Sequence, residues 1–258
     1  MNYEIKQVDK FRFIEEGEGE PLILLHGLFG ALSNFVDLIE YFKHHNKVVV
    51  PMLPLFELDL LHSTVGGLEK FVYRFIENRK LNQVHLLGNS LGGHVALLHV
   101  LKHPERIKSL ILTGSSGLFE SGMGDSYPKR GDYEYIKKKT ELTFHDPSTA
   151  TKELVDEVYE IVNNRIKAIK IISLAKSAIR NNLGEELNQI NTPTLLIWGN
   201  NDSITPPFVA REFQRLIPKS ELHFVDQCGH APMMEVPAEF NRILHKFITK
   251  LSEPAAVA

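Results

Sequence analysis

The chain predicts an α/β fold, a mostly parallel sheet of eight strands flanked by helices, with a helical segment inserted after the sixth strand. Three observations predict it. Short apolar runs alternate with helix-period segments along most of the chain, the pattern of βαβ units. The runs Leu22-Ile23-Leu24-Leu25 and Thr194-Leu195-Leu196-Ile197-Trp198 are continuously apolar, as strands covered on both faces must be. Between Val84-His85-Leu86-Leu87 and the apolar-periodic Val95, Ala96, Leu97, Leu98, Val100 and Leu101 lies Gly88-Asn89-Ser90-Leu91-Gly92-Gly93. A Gly-x-Ser-x-Gly turn between a strand and a helix is a nucleophile elbow, in which strain lifts the serine hydroxyl clear of the sheet and small neighbours let backbone pass close by.

Taken in order, residues 3–8 and 11–15 read as an antiparallel hairpin at a sheet edge, closed by Gly17-Glu18-Gly19-Glu20-Pro21. The strand 22–25 runs into the glycine loop His26-Gly27-Leu28-Phe29-Gly30. Ser33 caps a helix to about residue 44, and the β-branched strand 47–51 follows, ended by Pro51 and Pro54. Gly66-Gly67 precedes a helical pattern of Leu68, Phe71, Val72, Phe75 and Ile76, and strand 107–112 follows the elbow and its helix. Strands then cease. Gly122-Met123-Gly124-Asp125 is a flexible entry, Asp146-Pro147 starts one helix, and a second carries Ile166, Ile169, Ile172 and Ala175 on one side. Strand 194–199, a helix opened by Pro206, strand 221–225 and a helix over 237–251 complete the sheet. The expected organisation is a core of residues 1–116 and 190–252, a helical lid of 117–189, and a frayed tail of 253–258.

A single large core suits 258 residues of 43% hydrophobic content with no compositional break. A net charge of -3 gives no general drive towards nucleic acid or an anionic membrane. Cys228 is the only cysteine, which excludes an intramolecular disulfide and a cysteine metal cluster. The chain opens without a basic and apolar leader and carries no run of 18 apolar residues, so the expectation is a cytoplasmic protein, monomer or homodimer, with no membrane or nucleic-acid partner.

A serine is a weak nucleophile until a base takes its proton, and that base needs an acceptor to hold its tautomer. Asp202 lies just past one buried strand, in Trp198-Gly199-Asn200-Asn201-Asp202, and His230 just past the next, in Gln227-Cys228-Gly229-His230. The order Ser, Asp, His is the one expected with this elbow, and all three fall in loops at strand carboxyl ends. Asp226 is the rival acid, but it ends the strand that leads to His230 and is better placed to tie down that turn. Two donors are needed for the oxyanion: the N–H of Leu91 at the helix start, and that of Leu28, with Phe29 as the fallback. His26 shapes that loop, and Cys228 reads as a packed thiol.

These residues resemble the α/β-hydrolase superfamily over nearly the whole chain, through His26-Gly27 with Gly30, Gly88-Asn89-Ser90-Leu91-Gly92-Gly93, Trp198-Gly199 to Asp202 with Thr205-Pro206-Pro207, and Gly229-His230. The resemblance implies chemistry on Ser90, Asp202 and His230 with no cofactor and no metal. Gly88 to His94 and Asn163-Asn164-Arg165 further resemble the C–C bond hydrolases of meta-cleavage pathways, where a lid arginine binds the substrate carboxylate. One feature departs from them, since Ala231-Pro232 follows the histidine where those enzymes usually carry Trp; a further oddity is Pro51-Met52-Leu53-Pro54-Leu55-Phe56-Glu57, where relatives commonly have an Asp and a glycine-rich turn. The lid helix is basic through Arg165, Lys167, Lys170, Lys176 and Arg180, either as a solvated face or with Arg165 or Arg180 turned to an acidic substrate. The expected function is a serine hydrolase of a small or medium carboxylic ester, with Phe29, Arg165 and Arg180 as substrate-binding candidates. The alternatives are a C–C bond hydrolase of a diketone acid and a ligand receptor on the same fold.

Overall fold

The computed structural model describes residues 3–29, 32–119 and 129–252, without the side chains of residues 32 and 33. Gly30, the flexible entry 122–125, the tail and the capping role of Ser33 lie outside what it describes. The strands are β1 Lys6–Val8, β2 Phe11–Glu16, β3 Pro21–Leu25, β4 Lys47–Pro51, β5 Val84–Asn89, β6 Ile107–Thr113, β7 Thr194–Gly199 and β8 Ser220–Val225. The helices are α1 Val36–Phe42, α2 Val65–Asn78, α3 Leu91–Lys102, α4 Tyr133–Glu141, α5 Lys152–Asn163, α6 Arg165–Arg180, α7 Pro207–Leu216, α8 Pro232–Glu235 and α9 Pro237–Ser252.

The strands form one sheet in the order β1-β2-β4-β3-β5-β6-β7-β8. The β1/β2 and β2/β4 pairs are antiparallel and the rest parallel. After β4 the chain crosses back over β3 to form β5, so the strand order reverses between β3 and β5. Open α/β sheets hold ligands in the crevice beyond the strand ends at such a reversal. The loop 26–29 leaves β3 there and Ser90 leaves β5 there.

The continuously apolar strands feed two cores. Ile23 and Leu25 face α2, α3 and α7, while Leu22 and Leu24 face α1 and α9. Each such side chain contributes about 1.5–3 kcal/mol by leaving water, which fixes the register of the central strands and the height of the loops above them.

Several boundaries differ from the sequence expectation. Residues 32–35 form a 3₁₀ turn before α1, and α2 starts at Val65, with Gly66 and Gly67 inside its first turn and Thr64 Oγ1 accepting from the Gly67 N–H at 3.0 Å. A Cβ on Gly67 would lie 2.0 Å from the His62 carbonyl oxygen, so the glycine serves close approach within the helix. Asp146 caps only a 3₁₀ turn over Pro147–Thr149, and α5 has its own cap, Thr151. The helix α4, not anticipated, is capped by Asp132. On α6 the stripe read from the sequence is only partly packed: Ile166 and Ile169 are exposed while Ala175 is buried, together with Ile171, Leu174 and Ala178. Four polar contacts also tie α6 to the chain before α2 and to the first residue of α2. Lys170 Nζ donates to the carbonyls of Phe56 and Leu58, Ser173 Oγ to that of Ser63 at 3.0 Å, and Ser177 Oγ accepts from the Val65 N–H at 3.1 Å.

Candidate active site

Ser90 sits between β5 and α3 at φ 54° and ψ -119°, a conformation that L-residues avoid. Its neighbours hold it there. The Ser90 N–H donates to the Thr113 carbonyl at 3.1 Å, and its own carbonyl accepts from the N–H groups of Gly93, His94 and Ser116. A Cβ on Gly92 would come within 2.1 Å of the Leu25 carbonyl oxygen, and one on Gly88 within 2.4 Å of that of Gly92. The glycines around Ser90 are thus required by backbone packed against backbone. Gly27 flanks the serine itself: a Cβ there would stand 3.2 Å from Ser90 Cβ and 3.6 Å from its Oγ.

His230 Nδ1 and Asp202 Oδ2 are 2.9 Å apart, both side chains buried. Asp202 also accepts from the N–H groups of Ile204 and Thr205 and from the Thr205 hydroxyl at 2.8 Å. Burial opposes ionisation of this carboxyl, but the charge and hydrogen bond of His230, with the Thr205 donors, outweigh it and hold the group below the usual aspartate range. An ionised Asp202 holds the proton on Nδ1, which leaves Nε2 free to accept one. Asp226 is elsewhere, exposed and bonded to the Asn200 amide.

Two residues outside the candidate set join the pieces. Asn89, beside the serine, donates from Nδ2 to the carbonyls of Thr113 at 3.0 Å and His230 at 3.2 Å, tying the elbow to the histidine loop. Thr205 Oγ1 lies 2.8 Å from Asp202 Oδ2 and 3.3 Å from His230 Nδ1, bracing the pair. Both stand inside the motifs read from the sequence; their roles depend on contacts between segments distant in the chain.

Leu91 opens α3, so its N–H has no intrahelical acceptor. Leu28 follows Gly27 in the facing loop, its side chain packed on the core. His26 braces that loop: its Nδ1 lies 2.9 Å from the Gly27 carbonyl oxygen, and its Nε2 accepts from the Leu53 N–H at 3.3 Å. Burial holds this imidazole neutral by lowering its pKa, partly offset by the Gly27 contact. The Pro51-Met52-Leu53-Pro54 departure thereby supports the loop through Leu53. Phe29 packs against the cluster of Ile136, Val158 and Val162 from α4 and α5.

Arg165 and Arg180 are both exposed. Arg180 borders a groove of about 370 Å³ with Thr64, Gly66 and Lys176 at the α2 start. A larger groove, about 560 Å³, is lined by Leu118, Phe119, Phe208 and Arg215 among others. Neither groove is lined by Ser90, Asp202 or His230, and the site is defined by the side-chain pairing at the strand ends. Cys228 is buried, and burial, helped by Glu235, raises its thiol pKa, as suits a packed residue.

Among the described residues, one group could ligate a metal: Glu69 of α2 with His99 of α3 and His103 just beyond its end. Lys102 Nζ already stands 2.6 Å from the Glu69 carboxylate and supplies its countercharge. No helix among the described residues is long and apolar enough to cross a membrane.

A doubly wound sheet with a strained elbow serine, and a buried carboxylate–imidazole pair on two later strand ends, defines the α/β-hydrolase class. The chain belongs to the alpha/beta hydrolase family, whose family model matches residues 22–243. It is similar to a solved structure, the alpha/beta hydrolase enzyme MGS-MChE2 from a metagenome of sediments of the Mar Chica lagoon, Morocco, at 42% identity and a TM-score of 0.81, covering 97% of this chain and 100% of that one. Lipase 1 of Psychrobacter immobilis is 24% identical over 88% of this chain and 77% of its own. The 2-hydroxy-6-oxo-6-phenylhexa-2,4-dienoate hydrolase of Comamonas testosteroni is 27% identical over 91% and 89%.

Proposed function

We propose that this protein is a serine hydrolase that cleaves small or medium carboxylic esters. Ser90 Oγ attacks the ester carbonyl while His230 Nε2 takes its proton, and Asp202 stabilises the imidazolium through Nδ1. The N–H groups of Leu28 and Leu91 receive the oxyanion, the second at the positive end of α3. The imidazolium returns the proton to the leaving alcohol, and the same base activates a water that releases the acid. The observation that carries this reading is the 2.9 Å pairing of His230 with Asp202, the histidine loop being tied by Asn89 to the elbow of Ser90.

The test is steady-state hydrolysis of p-nitrophenyl esters from acetate to laurate by the wild type and Ser90→Ala. Turnover should fall by roughly 10⁴-fold or more in the variant. Residual turnover within tenfold of the wild type would exclude Ser90 as the nucleophile. The dienoate hydrolase relative, as extensive a match as the lipase, makes C–C cleavage the second reading. It gains if a meta-cleavage dienoate is turned over and the esters are not.

A further inference from the structure

We infer that Glu235 is a positioning residue for His230, clamping the loop of that imidazole to the strap of residues 142–145 that leaves α4. The inference rests on the reading of His230 as the base.

Glu235 closes the short helix α8 and its side chain folds back over the histidine loop. Its Oε1 accepts from the Gly229 N–H at 2.8 Å, and its Oε2 accepts from the His145 N–H at 2.7 Å. Both oxygens of one carboxylate are thus taken by backbone donors from segments some 84 residues apart in sequence, and such charge-assisted bonds are about twice as strong as neutral ones. The strap returns the contact. The His230 N–H donates to the Thr143 carbonyl at 2.9 Å, so the strap holds the backbone of the base directly and that of the residue before it through Glu235. On the acid side, Ser203 Oγ donates to the Leu142 carbonyl at 3.0 Å, next to Asp202.

The fit leaves no slack. A Cβ on Gly229 would lie 2.7 Å from the Thr143 carbonyl oxygen and 2.9 Å from the His145 nitrogen. Phe144 points the other way, into the core shared with Cys228, Ala231 and Met233. The loops of Asp202 and His230 and the start of the α4–α5 connection therefore share one anchor, with Glu235 its charged element. A displacement of α4 that carried the strap would pass to His230 both directly, at the Thr143 carbonyl, and through Glu235.

The test compares Glu235→Gln with Glu235→Ala, which remove the same charge. The glutamine keeps one acceptor oxygen and turns an NH₂ towards the second N–H; the alanine keeps neither. The readouts are kcat and KM on the ester series and the NMR titration midpoint of the His230 ring, assigned by its loss in His230→Asn. The expected result is a fall in kcat of about tenfold or more in Glu235→Ala and a smaller one in Glu235→Gln, with KM changed less than threefold. The His230 midpoint should differ between the two variants. Identical midpoints and identical kcat in the two variants would overturn the proposal, since charge alone would account for the effect. Should the wild type turn over no ester, the proposed function falls while the NMR comparison still decides the positioning. Should Glu235→Ala fail to fold, amide exchange in Glu235→Gln decides. The Gly229 and His145 amides should together exchange about tenfold faster than in the wild type, and unchanged protection would overturn the clamp.

Discussion

At the scale of the residue, the site depends on which groups can approach the serine and the imidazole. Asp202→Asn keeps the shape but offers its amide where an acceptor is needed, which favours the wrong imidazole tautomer. We expect kcat to fall by about 10³- to 10⁴-fold, against less than about twofold for Asp226→Asn, whose carboxylate bonds only to Asn200 among the described residues. Ester kinetics of the two variants side by side check the choice of acid. Gly27→Ala would bring a methyl to 3.2 Å from Ser90 Cβ, tighter than ordinary contact. Its cost should appear in kcat with little change in thermal midpoint, whereas Gly92→Ala drives a methyl into the Leu25 carbonyl and should cost about 1–3 kcal/mol or more of stability. Urea unfolding of the two glycine variants separates these effects.

At the scale of the element, the seating of α6 is polar as well as apolar. Its basic residues read from the sequence as a solvated or substrate-facing stripe, yet Lys170 is spent on the carbonyls of Phe56 and Leu58 and Lys167 lies over the Phe56 ring. Lys170→Met keeps the length of the stem and removes both bonds. It should lower stability by about 1.5–3 kcal/mol at most, less for the partial exposure of the ammonium, and raise proteolytic cutting at residues 56–63. The ratio of kcat to that of the wild type should stay within about twofold, because the strap that holds His230 leaves α4 and not α6. A large loss of kcat in this variant would show that α6 also bears on the base.

At the scale of the molecule, acid should weaken the fold before it titrates the carboxylates. Burial lowers the pKa of His26, His85 and His94, the last to about 4. A histidine whose folded pKa lies below its unfolded value near 6.5 adds stability that is complete above that value and is lost as the pH falls. Each contributes a slope of up to about 1.4 kcal/mol per pH unit between its two pKa values, and for His94 that window runs from about 6.5 down to about 4. Glu20, lowered to about 2 by its bond to Lys108, and Asp202 add their losses only below the ordinary carboxylate range. Urea unfolding at pH 7.5 and pH 5 should therefore show a clear drop, smaller in His94→Gln. An unchanged midpoint would mean that these imidazoles are not held neutral.

The alternation of strand and helix, the elbow around Ser90 and the succession of Ser90, Asp202 and His230 were all legible in the sequence. Each is a local pattern: a continuously apolar run has only a doubly covered strand to occupy, and a strained turn needs glycine at fixed offsets. Helix starts were less legible, as at Val65, because the glycines of α2 answer to a distant carbonyl and not to helix propensity. Which side of α6 is buried was not legible for a related cause, since an isoleucine stripe gives a periodicity but not the neighbour it meets. Tertiary structure alone supplied the contact of Asp202 with His230 for which the sequence had chosen it over Asp226, the bracing of that pair by Asn89 and Thr205, and the tie from Glu235 to the strap. Those are contacts between segments brought together only when the strands stack in the order β3-β5-β6-β7-β8. A sequence states which chemical groups are available; which of them meet depends on the packing of the sheet that carries them.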